Sequence, residues 1–265
     1  MLIHPGPADP QRVRTVACRA HPLRLLLRAG VPLDRAIAQA VRAAGFGAAW
    51  LSLRDLPCDR LAFVIPAPPP GDGRVAYYSR THRLGAGARI VMAGLHLGQG
   101  GAIHAHGLWT DRTGTVRMGH LRPEETFLSR NVQIEAWGID GAAFCRGPDS
   151  ETGFALFTPR AQRRRHRGGQ AARLVRLRPH LDLVPTLRRL ARPRSRILGL
   201  GSLIGTRFAD AAPLPGPATE ILITGQAGGQ LRIASVGEGG DARQGWLLGP
   251  NRVCITAELL LIDAP

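Results

Sequence analysis

Apolar residues recur along this chain in two rhythms. Leu33, Ile37, Val41 and Ala44 fall on one face of a helical period. Pro32 stands at a fitting first helical position, and Gly45 and Gly47 follow, so the spacing predicts a helix over Pro32–Ala44. The other apolar runs are short. AAWLSL (Ala48–Leu53), LAFVI (Leu61–Ile65), RVAYYS (Arg74–Ser79) and RIVMAGL (Arg89–Leu95) read as strands, as do AIHAHGLW (Ala102–Trp109) and NVQIEAWGI (Asn131–Ile139). Turn-rich pieces such as PAPPPGDG (Pro66–Gly73) divide them. The residues before about Arg14 are Pro-rich and polar and are expected to be loose. Further on, LVRLRP (Leu174–Pro179) predicts a strand and DLVPTLRRLA (Asp182–Ala191) a short helix capped by Asp182. ILGLGSLIG, TEILIT, LRIASV and RVCITAELLLI complete the strand-like runs. One helix followed by several strands at hairpin spacing points to an α/β (α+β) fold, a mainly antiparallel sheet with a flanking helix.

The pattern occurs twice. AVRAAGFGAAWLSL is echoed by LRRLARPRSRILGLGSLIG, and Gly100–Leu121 by Gly228–Leu247. NVQIEAWGI is echoed by NRVCITAELLL (Asn251–Leu261). In this alignment His104 falls on Arg232, His106 on Ala234 and His120 on Trp246. Two similar domains are therefore expected: residues 1–158 with the histidines, an Arg-rich linker over 159–173, and a shorter, degenerate copy over 174–265.

Charge refines this picture. The chain has 265 residues, 35 basic against 19 acidic, a formal net charge of +16 and no Lys. Pro159–Arg196 alone holds 13 Arg and one acid, Asp182, whereas the remaining 22 Arg and 18 acids nearly balance. Arg163, Arg164, Arg165 and Arg167 form its densest part and are the candidate nucleic-acid contacts; such a cluster would neutralise phosphates with little sequence preference. No aromatic residue lies between Thr158 and Ile197, so base stacking is not part of this reading. The four cysteines show no CxxC, there is no run of 18 apolar residues, and the start has no apolar leader segment. The expectation is a cytoplasmic protein with no membrane segment.

His104, His106 and His120 carry the candidate chemistry. Residues two apart in a strand share a face, and the turn-forming WTDRTG (Trp109–Gly114) would bring His120 back opposite. Three imidazoles with a free fourth position are the pattern of an open site for zinc or another divalent transition metal. Asp111, Glu124 and His96 are candidate fourth ligands or supporting partners.

The ordered set of the helix and AAWLSL, MAGLHLGQGG (Met92–Gly101), IHAHGLWTDRTG (Ile103–Gly114), MGHL (Met118–Leu121) and NVQIEAWGI resembles the PPC (plant and prokaryote conserved) domain over about Cys18–Phe144. A second stretch, about Leu174–Ile262, is similar through LGSLIG, GGQLRIAS, GWL and TAELLL. The resemblance implies an antiparallel α/β fold, a trimer or trimer-based homo-oligomer and a DNA-associated role, and it maps the family's histidine motif onto His104, His106 and His120. The alternative is a metal-dependent enzyme acting on a small molecule, with Asp111, Glu124 or Glu125 as base. The sequence shows no dedicated acid–base pair, which puts binding ahead of catalysis. Glu220 and Glu258 are expected on exposed strand faces, and Asp149 and Glu151 as surface charges.

Overall fold

The computed structural model describes residues 2–264. The chain opens with β1 (Val13–Leu27), α1 (Leu33–Ala43) and the long β2 (Ala49–Val64), followed by the short β3 (Pro66–Ala67), β4 (Tyr77–Tyr78) and β5 (His82–Leu84). β6 (Ala88–Leu97), β7 (Ile103–Thr110), β8 (Val116–Leu121), β9 (Phe127–Leu128) and β10 (Val132–Asp140) follow. A separate ribbon of β11 (Ala142–Pro148) and β12 (Ala155–Ala161) leads to β13 (Gln170–Leu177) and α2 (Leu183–Leu190). The chain ends with β14 (Arg196–Leu203), β15 (Thr219–Ala227), β16 (Gln230–Val236), β17 (Ala242–Trp246) and β18 (Val253–Ile262). The fold is α+β, as the patterning indicates, but dominated by antiparallel sheet.

One sheet runs through both halves. Its order is β17-β16-β15-β14-β18-β13-β1-β10-β2-β6-β7-β8. Outward from the central β13–β1 pair, each half winds identically. The last strand (β10 or β18) lies between the first (β1 or β13) and the second (β2 or β14), and the helix connects first to second. The seam is antiparallel, with Val13 opposite Leu177 and Ala20 opposite Gln170. β2 is long enough to pair with β10 and β6 through its first part and to meet β8 through Phe63 and Val64, curling the first half around its core.

α1 forms where the helical period indicates. Leu33, Ala36, Ile37 and Val41 are its buried face, each large aliphatic side chain contributing about 1.5–3 kcal/mol by leaving water. The main core joins Leu33, Leu51, Leu53 and Leu95 of the first half with Leu200, Leu222 and Leu260 of the second, while a smaller cluster around Leu183, Leu187 and Leu259 belongs to the second half. The halves touch closely at Gly94: a Cβ there would lie 2.6 Å from both Leu222 Cδ1 and the Trp50 ring, so only glycine fits. The four cysteines are free, and no helix among the described residues is long and apolar enough to cross a membrane.

Several sequence expectations change. AAWLSL and LAFVI are two ends of one strand, and of RVAYYS only Tyr77–Tyr78 is extended in a ladder. The residues before Arg14 are tied down: His4 Nε2 donates to the Cys254 carbonyl (2.9 Å), Gly6 N to the Glu151 carbonyl (3.0 Å), and Asp9 pairs with Arg178. Asp182 occupies the position before α2, but its carboxylate accepts from Asn251 N (3.2 Å) rather than from the helix. Within 159–173, residues 159–161 finish β12 and residues 170–173 open β13, leaving 162–169 as the connection. Asp149 and Glu151 are buried, not on the surface. Asp149 accepts from the buried Arg176 (2.7 Å) and from Arg178 (2.9 Å), while Glu151 pairs with Arg12 (2.8 Å) and Arg178 (3.1 Å). Burial would raise the Asp149 carboxyl, but these guanidiniums together with Thr152 hold it below its usual value.

Candidate metal centre

β7 and β8 form the hairpin that carries the histidines. Its turn is fixed by Asp111, whose Oδ1 accepts from Thr113 N (2.9 Å) and Thr115 N (3.1 Å). The register places His106 directly opposite His120, and His104 shares their face two residues away. Gly119 makes the approach of β8 to β2 possible: a Cβ there would lie 2.3 Å from the Val64 carbonyl oxygen. The three rings form a near-equilateral triangle with centroid separations of 4.9, 5.1 and 5.3 Å. One ligand nitrogen from each lies within 4.8 Å of the others.

The carboxyl and carbonyl partners of these rings come from the second half of the chain. His104 Nδ1 lies 2.6 Å from Glu258 Oε2, on β18. His106 Nδ1 donates to the Ile221 carbonyl, on β15, at 2.9 Å. Burial drives the His106 pKa down to about 3, so the ring is neutral at ordinary pH. With Nδ1 as the donor, its Nε2 carries the lone pair, and that atom is buried without a hydrogen-bond partner. Glu220, also on β15, stands 3.8 Å from His106 Nε2 and 4.0 Å from His120 Nδ1. Burial raises its carboxyl to about 8, which keeps it protonated near neutrality. His120 is driven well below its ordinary value by burial and by the neighbouring imidazoles and guanidiniums.

Such a donor set fits a divalent transition metal. Three imidazoles converge, His106 Nε2, His120 Nδ1 and Glu220 Oε2 are buried without partners, and His104 and His106 engage a carboxyl and a carbonyl through their other nitrogens, as metal-ligating histidines do. Thus Glu220 and Glu258, expected on exposed faces, are buried beside the histidines. Within TAELLL and TEILIT they looked like ordinary strand residues; only the folding of the second half onto the hairpin reveals them. Of the other expected partners, Asp111 is spent on the turn and an ion pair with Arg117, and Glu124 pairs with Arg122. His96 lies buried between Trp50 and Phe144 and donates from Nε2 to the Glu258 carbonyl (3.2 Å).

A cavity of about 620 Å³ opens over His104 and His120. Tyr77, Tyr78, Phe154 and Phe157 are in its lining, as are Arg74, Arg122 and Arg146. A smaller space of about 50 Å³ lies against His106, Glu220 and Ser202. Arg163, Arg164, Arg165 and Arg167 are elsewhere, exposed in the connection between β12 and β13. That loop is anchored by its backbone: Arg165 N and His166 N donate to the Asp140 carboxylate (2.9 and 3.1 Å), and the His166 ring stacks on Phe46 at 4.2 Å.

No family model matches the sequence, and no curated protein matches it. Solved structures do resemble parts of the chain. A metal-containing protein from Archaeoglobus fulgidus is 21% identical over 53% of this chain and 94% of its own, with a TM-score of 0.40. A plant- and prokaryote-conserved (PPC) protein from Pyrococcus horikoshii is 17% identical over 55% of this chain and 94% of its own, with a TM-score of 0.38. A hypothetical protein from Salmonella is 16% identical over 56% of this chain and 99% of its own, with a TM-score of 0.41.

Proposed function

We propose that this chain is a PPC-type metalloprotein that binds a small molecule, with His104, His106 and His120 holding one zinc or other divalent transition metal. The convergence of three imidazoles, with the buried and unpartnered Nε2 of His106 among them, carries this reading. Glu258 and the Ile221 carbonyl orient two of the rings, and Glu220 stands close enough to serve as a fourth donor after losing its proton. The second half, read as a diverged copy that lacks counterparts of these three histidines, then acts as the support of the site in the first. A metal bound there would supply Lewis-acid polarisation to a ligand in the cavity. That capacity keeps a metal-dependent enzyme acting on a small molecule as the alternative. The test is the metal content of dialysed, untagged protein beside a triple His104→Ala, His106→Ala, His120→Ala variant. About one metal per chain, lost in the variant, supports the reading; no metal in either refutes it.

DNA association is a second reading, favoured by one observation. The loop bearing Arg163, Arg164, Arg165 and Arg167 spends backbone N–H groups on Asp140 and leaves four exposed guanidiniums. They would bind phosphates as a sequence-independent cluster. The trimer-based assembly implied by the family resemblance is tested by light scattering, where a clean monomer would refute it.

A further inference from the structure

We infer that the ligand of the 620 Å³ cavity is a small planar organic anion, its oxyanion held by Arg146 beside His120 and its body laid along the wall of Tyr77, Phe154 and Phe157. The inference deepens the metal-site reading and rests on it only for the ligand's proximity to the histidines.

The argument begins with charge. Three guanidiniums stand around this cavity, but two are already matched. Arg74 pairs with Asp72 and lies over the Tyr77 ring at 4.3 Å. Arg122 pairs with Glu124 (2.6 Å) and Glu125 (3.4 Å). Arg146 makes no ion pair and no side-chain hydrogen bond among the described residues. It projects from β11, whose register sets it opposite Phe157 of β12. The remaining acid of the lining, Glu258, is buried against His104 and is not free to neutralise it. Arg146 is therefore an uncompensated cation at the mouth of a preformed cavity, and its fork of donors suits a carboxylate or phosphate.

Shape narrows the class. Phe157 lies nearly parallel to the His104 ring (5.6 Å, 19°), and Tyr77 and Phe154 are also near-parallel (6.4 Å, 28°). Aromatic rings in the lining favour a planar body, because stacking rewards a matching π-surface. The volume lies within the range of small-molecule sites, well above that of a lone inorganic ion. Carboxylates and phosphate esters share this chemistry, and the experiment distinguishes them.

The full chain, loaded with zinc, is titrated calorimetrically with benzoate, with phenyl phosphate and with neutral benzamide. At least one anion is expected to bind about tenfold or more tightly than benzamide, and Arg146→Gln should erase that preference, with Arg146→Lys restoring part of it. Arg146 is exposed, so circular dichroism should show the fold unchanged. Whichever anion binds more tightly identifies the headgroup. Equal binding of benzamide, an unchanged anion affinity in Arg146→Gln, or no anion binding at millimolar concentration overturns the inference. Zinc uptake by the unaltered chain, measured beside the titration, separates the two proposals. If that chain takes up no zinc yet shows Arg146-dependent anion binding, the metal reading fails alone; if it takes up zinc but shows no anion preference, this inference fails alone.

Discussion

Nδ1 of His104 lies 2.6 Å from Oε2 of Glu258, a contact between residues 154 positions apart that ties the two halves of the chain through one imidazole. Glu258 is fully buried and its own backbone carbonyl accepts from His96. The ring of His104 is thus set by a strand that carries no histidine. Replacing Glu258 by Gln keeps the shape and removes the carboxyl group. Metal affinity should fall about 10–100-fold, as it does when such supporting partners are lost. A chromophoric chelator competition measures it; an unchanged affinity would show that His104 is oriented without Glu258.

Acid should destabilise the metal-free protein through its buried histidines. His96 and His106 are pushed down to about 3 by burial, whereas in the unfolded chain they titrate near 6.5. Between these values the unfolded state binds more protons, so stability falls as pH drops below about 6.5, by about 1.4 kcal/mol per pH unit for each histidine. Glu220 acts in the opposite sense. Its carboxyl is raised to about 8, so its contribution is lost as pH rises from about 4.5 toward 8. Urea midpoints between pH 4 and 9 should therefore peak near pH 6.5. His96→Gln should flatten the acid limb, and Glu220→Gln the alkaline one.

The Arg176–Asp149 pair should be costly to break. Arg176 is 2% and Asp149 7% exposed, and the guanidinium also donates to Thr158 Oγ1 at 2.9 Å. Asp149→Asn leaves a buried positive charge without its partner, and about 3–5 kcal/mol of stability should be lost. Denaturant unfolding measures this. A double variant with Arg176→Met should recover part of the loss; failure to do so would mean that Asp149 acts mainly through Thr152 and Arg178.

Charge removal on the exposed loop tests nucleic-acid association. Changing Arg163, Arg164, Arg165 and Arg167 to Gln should weaken binding to any duplex and reduce the salt slope by up to about 3–4. Unchanged binding would place the DNA contacts elsewhere or remove that reading.

How much of the fold was legible depends on how local its cause is. α1 follows from the spacing of Leu33, Ile37 and Val41, which any chain would have to bury on one helical face. The β7–β8 hairpin and its histidines follow from strand alternation and the turn chemistry of Asp111. β1 gave no such signal: Arg14, Arg19, His21 and Arg24 interrupt its apolar residues, and it becomes a strand because β10 and β13 pair with it on both sides. The burial of four acids is hidden from the sequence for the same reason. Asp149, Glu151, Glu220 and Glu258 look like surface charges until distant partners supply the cations and imidazoles that make burial tolerable.

The sequence by itself determined the sheet-rich class, the helix at residues 33–43, the common face of His104 and His106, and the concentration of arginine after Pro159. These depend on periodicity and composition, which act between near neighbours. Tertiary structure alone decided that one sheet joins the halves, that Glu258 and Ile221 support histidines more than a hundred residues away, and that Arg146 faces the cavity unmatched. Such contacts arise from long-range strand order and close packing, and no local pattern encodes which strand will cover another.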